Sequence, residues 1–408
     1  MYLNNYQYLK NKETSLLIFL FLFSFFIRIP SIFVFGDLNL ENEWYFLADN
    51  LQNHGKLSMR NFGDFFVPNL FMPPLYAYYL YFFKIFNLNN ETYVQLILFS
   101  QIALSSFSVI IFYFINKFFF STKISLFGAL MFSIFPLHIY ACGQISSIIL
   151  QSFLTVVFIY LLFITSQKNN YSNIFLLSLV SGLLILLRGE FIALFVLSIV
   201  YLKIFLKTNF KSILIILLLV SVVVSPYVAR NVFVAETLTI TKSIGFNLWK
   251  GNNENAKVEG NSQYDLNMKN KIDNLAKDNN YDAKLDNIFL DEALKNIKTN
   301  PTKYAILYLK KFLSFIFIDI DSSYPNYYHP LNYLPALLFG ILSIVGIILS
   351  DKNSYQMNFL ILFFIANVVI FSSFFILPRY KLVILPMQII FINILIDYFK
   401  AKFITNNE

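Results

Sequence analysis

The chain alternates long apolar runs with short polar connections. Runs near residues 15–35, 93–115, 124–141, 146–166, 172–187, 191–206, 212–229, 332–350, 357–377 and 382–399 approach the ~20 residues that a helix needs to cross a bilayer, and they predict about ten spans. Two further segments, 73–87 and 303–320, are apolar but weaker. The first opens on Pro73 and Pro74 and, at a rise of ~1.5 Å per residue, would extend only about 22 Å.

The connections decide how these runs are threaded. With both weak segments outside the bilayer, Lys10, Lys12, Lys117, Lys123, Lys168, Lys203, Lys207, Lys211, Lys352, Lys400 and Lys402 fall on one side, the cytoplasmic side under the positive-inside rule. Counting both as spans would invert the intervening loops and put Lys117, Lys123, Lys168, Lys207 and Lys211 outside. The weak segments are therefore expected to be outer interfacial or re-entrant helices within two long outer segments, 36–92 and 230–331. The second of these is rich in Asn, Lys and Asp. It has amphipathic helical spacing over 265–278 and 285–298 (Leu285, Ile288, Phe289, Ala293, Leu294, Ile297), broken by Pro301. The expected architecture is an all-α polytopic membrane protein, residues 1–408 forming one integral domain with a small outer lobe.

Composition agrees with that class. Hydrophobic residues make up 57% of the chain and charged residues 13%, with a mean hydropathy of +0.62. The net charge of +8 is spread between spans rather than gathered on one soluble face, which argues for topology and against nucleic acid. A single cysteine, Cys142, excludes an intramolecular disulfide. The three histidines, His54, His138 and His329, lack zinc-ligand spacing, so no metal site is read from them. The first apolar run is longer than a signal-peptide core, lacks a small-residue cleavage site and carries Arg28, so it is expected to be a retained span.

Candidate chemistry gathers where the outer segments begin and end. Asp37, Glu41 and Glu43 follow the first span, and Glu41 opens a helical pattern that places Tyr45, Leu47, Ala48 and Leu51 on an apolar side and ends near Gly55. A partly desolvated carboxylate at that helix start can act as a general base. The plainer alternative is that these acids cap the helix and face its dipole. Arg28 lies in the first span, Arg188 at the tip of Leu187-Arg188-Gly189-Glu190, Arg230 just after Pro226, and Arg379 with Lys381 before the last run. Each alone could snorkel to the interface, and Arg188 could pair with Glu190 in a turn. Several together, on the side that the positive-inside rule depletes of cations, are suited to a phosphate.

In order along the chain, Glu41 to Tyr45, Met72-Pro73-Pro74-Leu75-Tyr76, Pro136-Leu137-His138-Ile139-Tyr140, Pro226 to Asn231 and Arg379-Tyr380-Lys381-Leu382 with Pro386 form five landmarks. With Gly245-Phe246-Asn247-Leu248-Trp249-Lys250-Gly251-Asn252-Asn253, the pattern resembles the GT-C glycosyltransferases, in the branch of the bacterial aminoarabinose transferases and protein O-mannosyltransferases. The matching family motifs are D-E-x-x-Y, K-P-P-L-Y, a proline-plus-tyrosine loop, P-W-x-x-R-N, G-x-N-L-W-x-G-N-N and R-Y-x-x-P. Two departures stand out: Glu41-Asn42 replaces the Asp-Glu pair, and the loop 143–148 carries no acid.

The resemblance implies transfer of a sugar from a polyprenyl-phosphate carrier to a lipid, glycan or protein acceptor, with inversion, at the outer face of what would be a bacterial plasma membrane. Membrane lipids are implied partners. No cofactor is certain, although a divalent cation is open. Glu41 is then the expected base, with Glu43 or Asp37 as the alternatives that could substitute for it. Arg28, Arg188, Arg230, Arg379, Tyr380 and Lys381 are the expected phosphate or lipid contacts. Tyr45, His138, Tyr140, Asn247 and Trp249 would contact donor or acceptor, with Gln144 a further polar candidate. For His138 a hydrogen-bonded interfacial role is the alternative. The rival activities are a lipid-linked sugar flippase or transporter, and a glycan polymerase or ligase.

Overall fold

The computed structural model describes the backbone of residues 2–168 and 170–405 and the side chains of 13–41, 43–168 and 170–402. Helix α1 (Tyr2–Phe35) leads into a polar segment holding α2 (Asn42–His54), a hairpin of β1 (Arg60–Phe62) and β2 (Phe65–Val67), and α3 (Pro74–Lys84). Apolar helices follow: α4 (Asn90–Asn116), α5 (Thr122–Ile134), α6 (Pro136–Cys142), α7 (Ile148–Gln167), α8 (Tyr171–Leu187), α9 (Phe191–Ile204) and α10 (Phe210–Ala235). A second polar segment holds α11 (Ile244–Asn252), α12 (Leu266–Asp273), α13 (Tyr281–Thr299) and α14 (Pro301–Ile316). Helices α15 (Pro330–Leu349), α16 (Tyr355–Ser372) and α17 (Lys381–Thr405) complete the bundle.

This is an all-α polytopic membrane protein. Among the described residues seven helices, α1, α4, α7, α10 and α15 to α17, have stretches long and apolar enough to cross a bilayer. The pair α5 and α6, bent by 53° where Pro136 restarts the helix, makes an eighth if taken together. Helices α8 and α9 are apolar but shorter. Together these elements occupy the ten runs that the hydrophobic pattern predicts. The two weak segments form α3 and α14, of 11 and 16 residues, neither of which is among the spanning helices. Alternation along the bundle brings the connections after α1, α6, α8, α10 and α16 to one end. Lys117, Lys123, Lys168, Lys207, Lys211 and Lys352 lie in connections at the other.

Polar staples lock the apolar bundle. Arg28 is completely buried, donating to the Ser24 hydroxyl (2.6 Å) and carbonyl (2.8 Å) and to the hydroxyls of Ser105 (2.8 Å) and Ser133 (3.4 Å). His138 joins the group through Ser105 (3.0 Å) and Arg28 (3.4 Å). A buried guanidinium is tolerated when its N–H groups find acceptors, so this cluster ties α1, α4, α5 and α6 together.

At the opposite extreme, the outer lobe has its own small core of Val67, Trp249, Met268, Tyr281, Leu285, Phe289 and Ala293. Helix α13 is its spine. The Asp282 carboxylate pairs with Arg60 and accepts the Leu70 N–H (3.0 Å), while Asp286 accepts the Phe246 N–H (2.9 Å). The first polar segment and α11 are therefore both anchored to α13. Helix α12 stops at Asp273, short of the predicted 278, because Asp278 instead starts the turn into α13 by accepting the Asn280 N–H (3.0 Å).

Candidate active site

The three sequence-predicted acids sit at the end of the bundle that carries the lobe, but not equivalently. Glu41 precedes the first residue of α2, and its side chain makes no capping hydrogen bond; Glu43 lies in the first turn, and both are exposed. Asp37 is half-buried and fixed: its N–H donates to the Gly143 carbonyl (2.9 Å), and its Oδ2 accepts the Ile145 N–H (2.5 Å). Burial raises the Asp37 carboxyl above its usual range; the Ile145 N–H opposes that shift and the nearby Glu41 charge adds to it. Asp37 and Glu41 thus form an interacting carboxylate pair with one member held in place.

The loop that holds Asp37 is itself braced. Gln101, buried on α4, donates to the carbonyls of Cys142 (3.3 Å) and Gln144 (2.9 Å) and accepts from the Tyr76 hydroxyl (3.0 Å). Gln144 reaches back to the Phe35 carbonyl (2.5 Å). A Cβ on Gly143 would come within 2.7 Å of the Ser31 carbonyl oxygen, so the loop lies directly on the end of α1. Trp44 packs edge-on against Tyr76 at 4.8 Å. The tyrosine of the Pro-Pro segment therefore supports the acid through two intermediates. Gln101, which makes the link, has no local sequence signature beyond a polar residue in an apolar run.

Facing the acids is a group of cations arranged on aromatic rings. The Tyr380 ring packs at a 48° tilt against Phe371 (5.3 Å) and Phe375 (6.0 Å). The guanidinium carbons of Arg188 and Arg379 each lie 5.9 Å from the Tyr380 ring. The Lys250 ammonium sits 4.6 Å from the Phe375 ring. Among the described residues neither Arg379 nor Lys250 has a carboxylate within 4 Å, and Arg188 has only Glu190 at 4.0 Å, its Nε being bonded to Gln151 (2.9 Å). Two residues connect the halves. Tyr140 interacts electrostatically with both Asp37 and Arg379. Lys250 does so with both Arg379 and Glu43; burial lowers its ammonium, the Arg379 charge adds and Glu43 opposes. In the sequence Lys250 is marked only by its place in the Gly245–Asn253 motif.

Other predicted residues serve the frame. Arg230, half-buried, donates to the carbonyls of Asn69 (3.0 Å) and Leu57 (3.1 Å) and to Asn231 Oδ1 (2.8 Å), while Asn231 holds the Thr239 and Ile240 carbonyls (2.8 and 3.3 Å). Lys381 is turned inward onto the carbonyls of Ser314, Phe315 and Phe317 that end α14. Arg28 and His138 are in the bundle interior. Tyr45 lies under Lys84, which pairs with Asp49 at 2.8 Å. Trp249 is buried against Phe289 (4.8 Å), and half-buried Asn247 shares the α11 face of Lys250 three residues on. Electrostatic and ring contacts thus link Asp37, Glu41, Glu43, Tyr140, Arg188, Arg379 and Tyr380 at the end of the bundle that carries the lobe, and the rest are distributed through the scaffold.

No family model matches the chain, and no curated protein sequence does. Solved structures do. The Archaeoglobus fulgidus oligosaccharyltransferase AglB, in complex with an inhibitory peptide and a dolichol-phosphate, matches with a TM-score of 0.58 at 12% identity, over 96% of this chain and 51% of that one. The same enzyme tethered to an acceptor peptide containing the NVT sequon gives a TM-score of 0.58 at 13% identity, over 95% and 50%. Its complex with Zn and sulfate gives 0.56 at 12%, over 95% and 49%. The chain spans about half the length of these structures. The chain shares the fold of this oligosaccharyltransferase.

Proposed function

We propose that this protein is a glycosyltransferase that moves a sugar from a polyprenyl-phosphate carrier to a lipid, glycan or protein acceptor. One observation carries the proposal. A braced, half-buried Asp37 with the Glu41 charge near it, and the cations Arg188 and Arg379 on the Tyr380 ring, Arg379 without a carboxylate within 4 Å among the described residues, lie at one end of a GT-C bundle, with Tyr140 in electrostatic reach of Asp37 and Arg379. The lysine-bearing connections at the other end of the bundle support a non-cytoplasmic site under the positive-inside rule. The fold supports a lipid-linked donor, since a dolichol-phosphate is bound in one of the matched structures.

In this mechanism the isoprenoid tail lies against the apolar helices and the phosphate meets Arg379 and Arg188. Asp37 accepts the proton of the acceptor hydroxyl or amine as that oxygen or nitrogen forms the new bond to the anomeric carbon. The bond from that carbon to the phosphate oxygen breaks on the opposite face, its electron pair staying on the phosphate, so the configuration inverts. Guanidinium groups already in place stabilise the charge that develops on the leaving phosphate. Glu41 keeps Asp37 basic enough to take the proton. Among the described residues no three His, Cys, Asp or Glu side chains converge as a metal site, and no step is routed through a divalent cation.

The test uses cells with and without the gene, from which lipid-linked sugars are extracted and weighed by mass spectrometry. The sugar-loaded monophosphate carrier should accumulate in the deletion and be cleared by the wild-type protein, but not by Asp37→Asn or Arg379→Ala. Clearance by both variants, or no accumulation at all, refutes the assignment. A flippase would leave the carrier loaded whichever variant is supplied.

A further inference from the structure

The residue that the mechanism has not used is Lys250, and its surroundings are built around it. The last turn of α11 carries Gly251, where a Cβ would stand 1.9 Å from the Phe374 carbonyl oxygen, so only glycine lets the helix dock directly on the backbone ahead of Tyr380. Asn252 bonds across to the Ser373 carbonyl (3.0 Å), and Lys311 holds the Gly251 carbonyl (2.7 Å) and Asn252 Oδ1 (3.1 Å). On the other side the turn at Gly260, with φ of +80°, passes so close that a Cβ there would meet Lys250 Cγ at 2.9 Å and Phe375 Cβ at 3.1 Å. The Asn261 N–H bonds to the Lys250 carbonyl (2.8 Å), and the Ile376 N–H bonds to the Val258 carbonyl (2.9 Å). The lysine stem is therefore enclosed between this turn and Phe375, and its ammonium lies over that ring.

Enclosing a cation this way, with Arg379 in electrostatic reach and no carboxylate within 4 Å of either among the described residues, holds like charges together without a close counter-ion, Glu43 acting on Lys250 only from farther off. Such an arrangement is unfavourable when empty and becomes favourable when a multivalent anion arrives. We propose that Lys250 binds the phosphate of the lipid-linked donor together with Arg379, completing a cradle of which Arg188 forms the far side. This rests on the functional reading above and deepens it: the headgroup bound here is a phosphate carried on an isoprenoid tail. Glu43, the carboxylate that interacts with Lys250, restrains the ammonium from the acid side of the mouth.

The experiment measures binding to the full-length protein in lipid nanodiscs of a long-chain polyprenyl monophosphate and of the uncharged polyprenol of the same length. Wild-type protein should prefer the phosphate. Lys250→Met keeps the apolar stem against Phe375 and should weaken phosphate binding by roughly 10- to 100-fold, the range for one charge-assisted hydrogen bond, with polyprenol binding unchanged. Lys250→Arg should restore most of the loss. Lys250→Gln repeats the charge removal with different packing, so a folding defect in one variant does not stand in for the result. Equal phosphate affinity in wild type and both neutral variants overturns the role of Lys250 and leaves the functional reading intact. A wild-type protein that does not distinguish the phosphate from the alcohol overturns that reading itself.

Discussion

Replacing Arg230 by Met separates two roles for a residue that sequence pattern assigns to phosphate. The guanidinium donates three hydrogen bonds, to the carbonyls of Leu57 and Asn69 and to Asn231 Oδ1, at 3.1, 3.0 and 2.8 Å. It therefore closes the segment from Leu57 to Met72, which carries the hairpin and the approach to the Pro-Pro helix. Bonds to a charged donor contribute up to ~3 kcal/mol each when buried; for a half-exposed arginine, solvent screening brings this to ~1 kcal/mol each, or ~3 kcal/mol for the three.

Methionine keeps the stem but donates nothing. A loss of ~3 kcal/mol in local opening corresponds to roughly 100-fold faster exchange of the amides this segment protects. Hydrogen exchange followed by mass spectrometry reads the effect at Asn69, Leu70 and Met72, whose N–H groups bond to the Leu57 carbonyl, Asp282 and Asn69 Oδ1. Unchanged exchange in Arg230→Met, accompanied by a loss of polyprenyl-phosphate affinity, would refute the clamp and return Arg230 to the phosphate.

Other consequences can be measured on the same protein. Because burial and the Glu41 charge hold Asp37 above its ordinary range, transfer should fall as pH drops through that raised value; Glu41→Gln should move the acid limb of kcat/KM to lower pH, and an unmoved limb would reject Asp37 as the base. Gly251→Val introduces a Cβ 1.9 Å from the Phe374 oxygen and should cost at least ~2 kcal/mol, seen as a lower thermal midpoint with transfer lost in parallel. Burial brings the Lys311 ammonium from 10.5 down to about 7, so between those values the unfolded chain binds the extra proton and stability should rise with pH. Thermal midpoints across pH 7 to 10.5 should lose that rise in Lys311→Met.

The hydrophobic pattern made the bundle legible because membrane spans are decided locally, by the length and polarity of each run. The same pattern, combined with lysine placement, identified α3 and α14 as helices outside the set of spans. Side-chain roles were less legible, because cations of one type serve different ends according to what surrounds them. Arg379 and Lys381 are two residues apart, yet one is exposed beside Tyr380 and the other is turned onto the end of α14. Nothing in a single sequence separates them, since the difference arises from a helix more than sixty residues earlier. Arg28 likewise reads as an interfacial charge until Ser24, Ser105, Ser133 and His138 are seen around it. Gln101 was missed, and the loop Gly143–Ile145 was read only for its lack of an acid and for Gln144 as a polar contact, for the complementary reason. Their contribution is to brace Asp37, which no spacing rule registers.

The glycine- and asparagine-rich end of α11 shows how a motif can matter for transfer without touching a substrate. Gly245 admits the Asp286 backbone, where a Cβ would stand 2.0 Å from its carbonyl oxygen, and Trp249 fills the lobe core. Gly251 and Asn252 dock on Phe374 and Ser373, and the Asn253 side chain closes onto the Asn261 carbonyl at 2.6 Å. Every one of these residues is engaged with protein, and their joint effect is to join the lobe to the segment that presents Arg379 and Tyr380. Loss of any of them should therefore lower stability and transfer together, whereas loss of the Lys250 charge should lower phosphate affinity, and transfer with it, at unchanged stability. That separation follows from geometry: α11 supplies the docking surface, and Lys250 is the residue on it whose charge is left to meet a ligand.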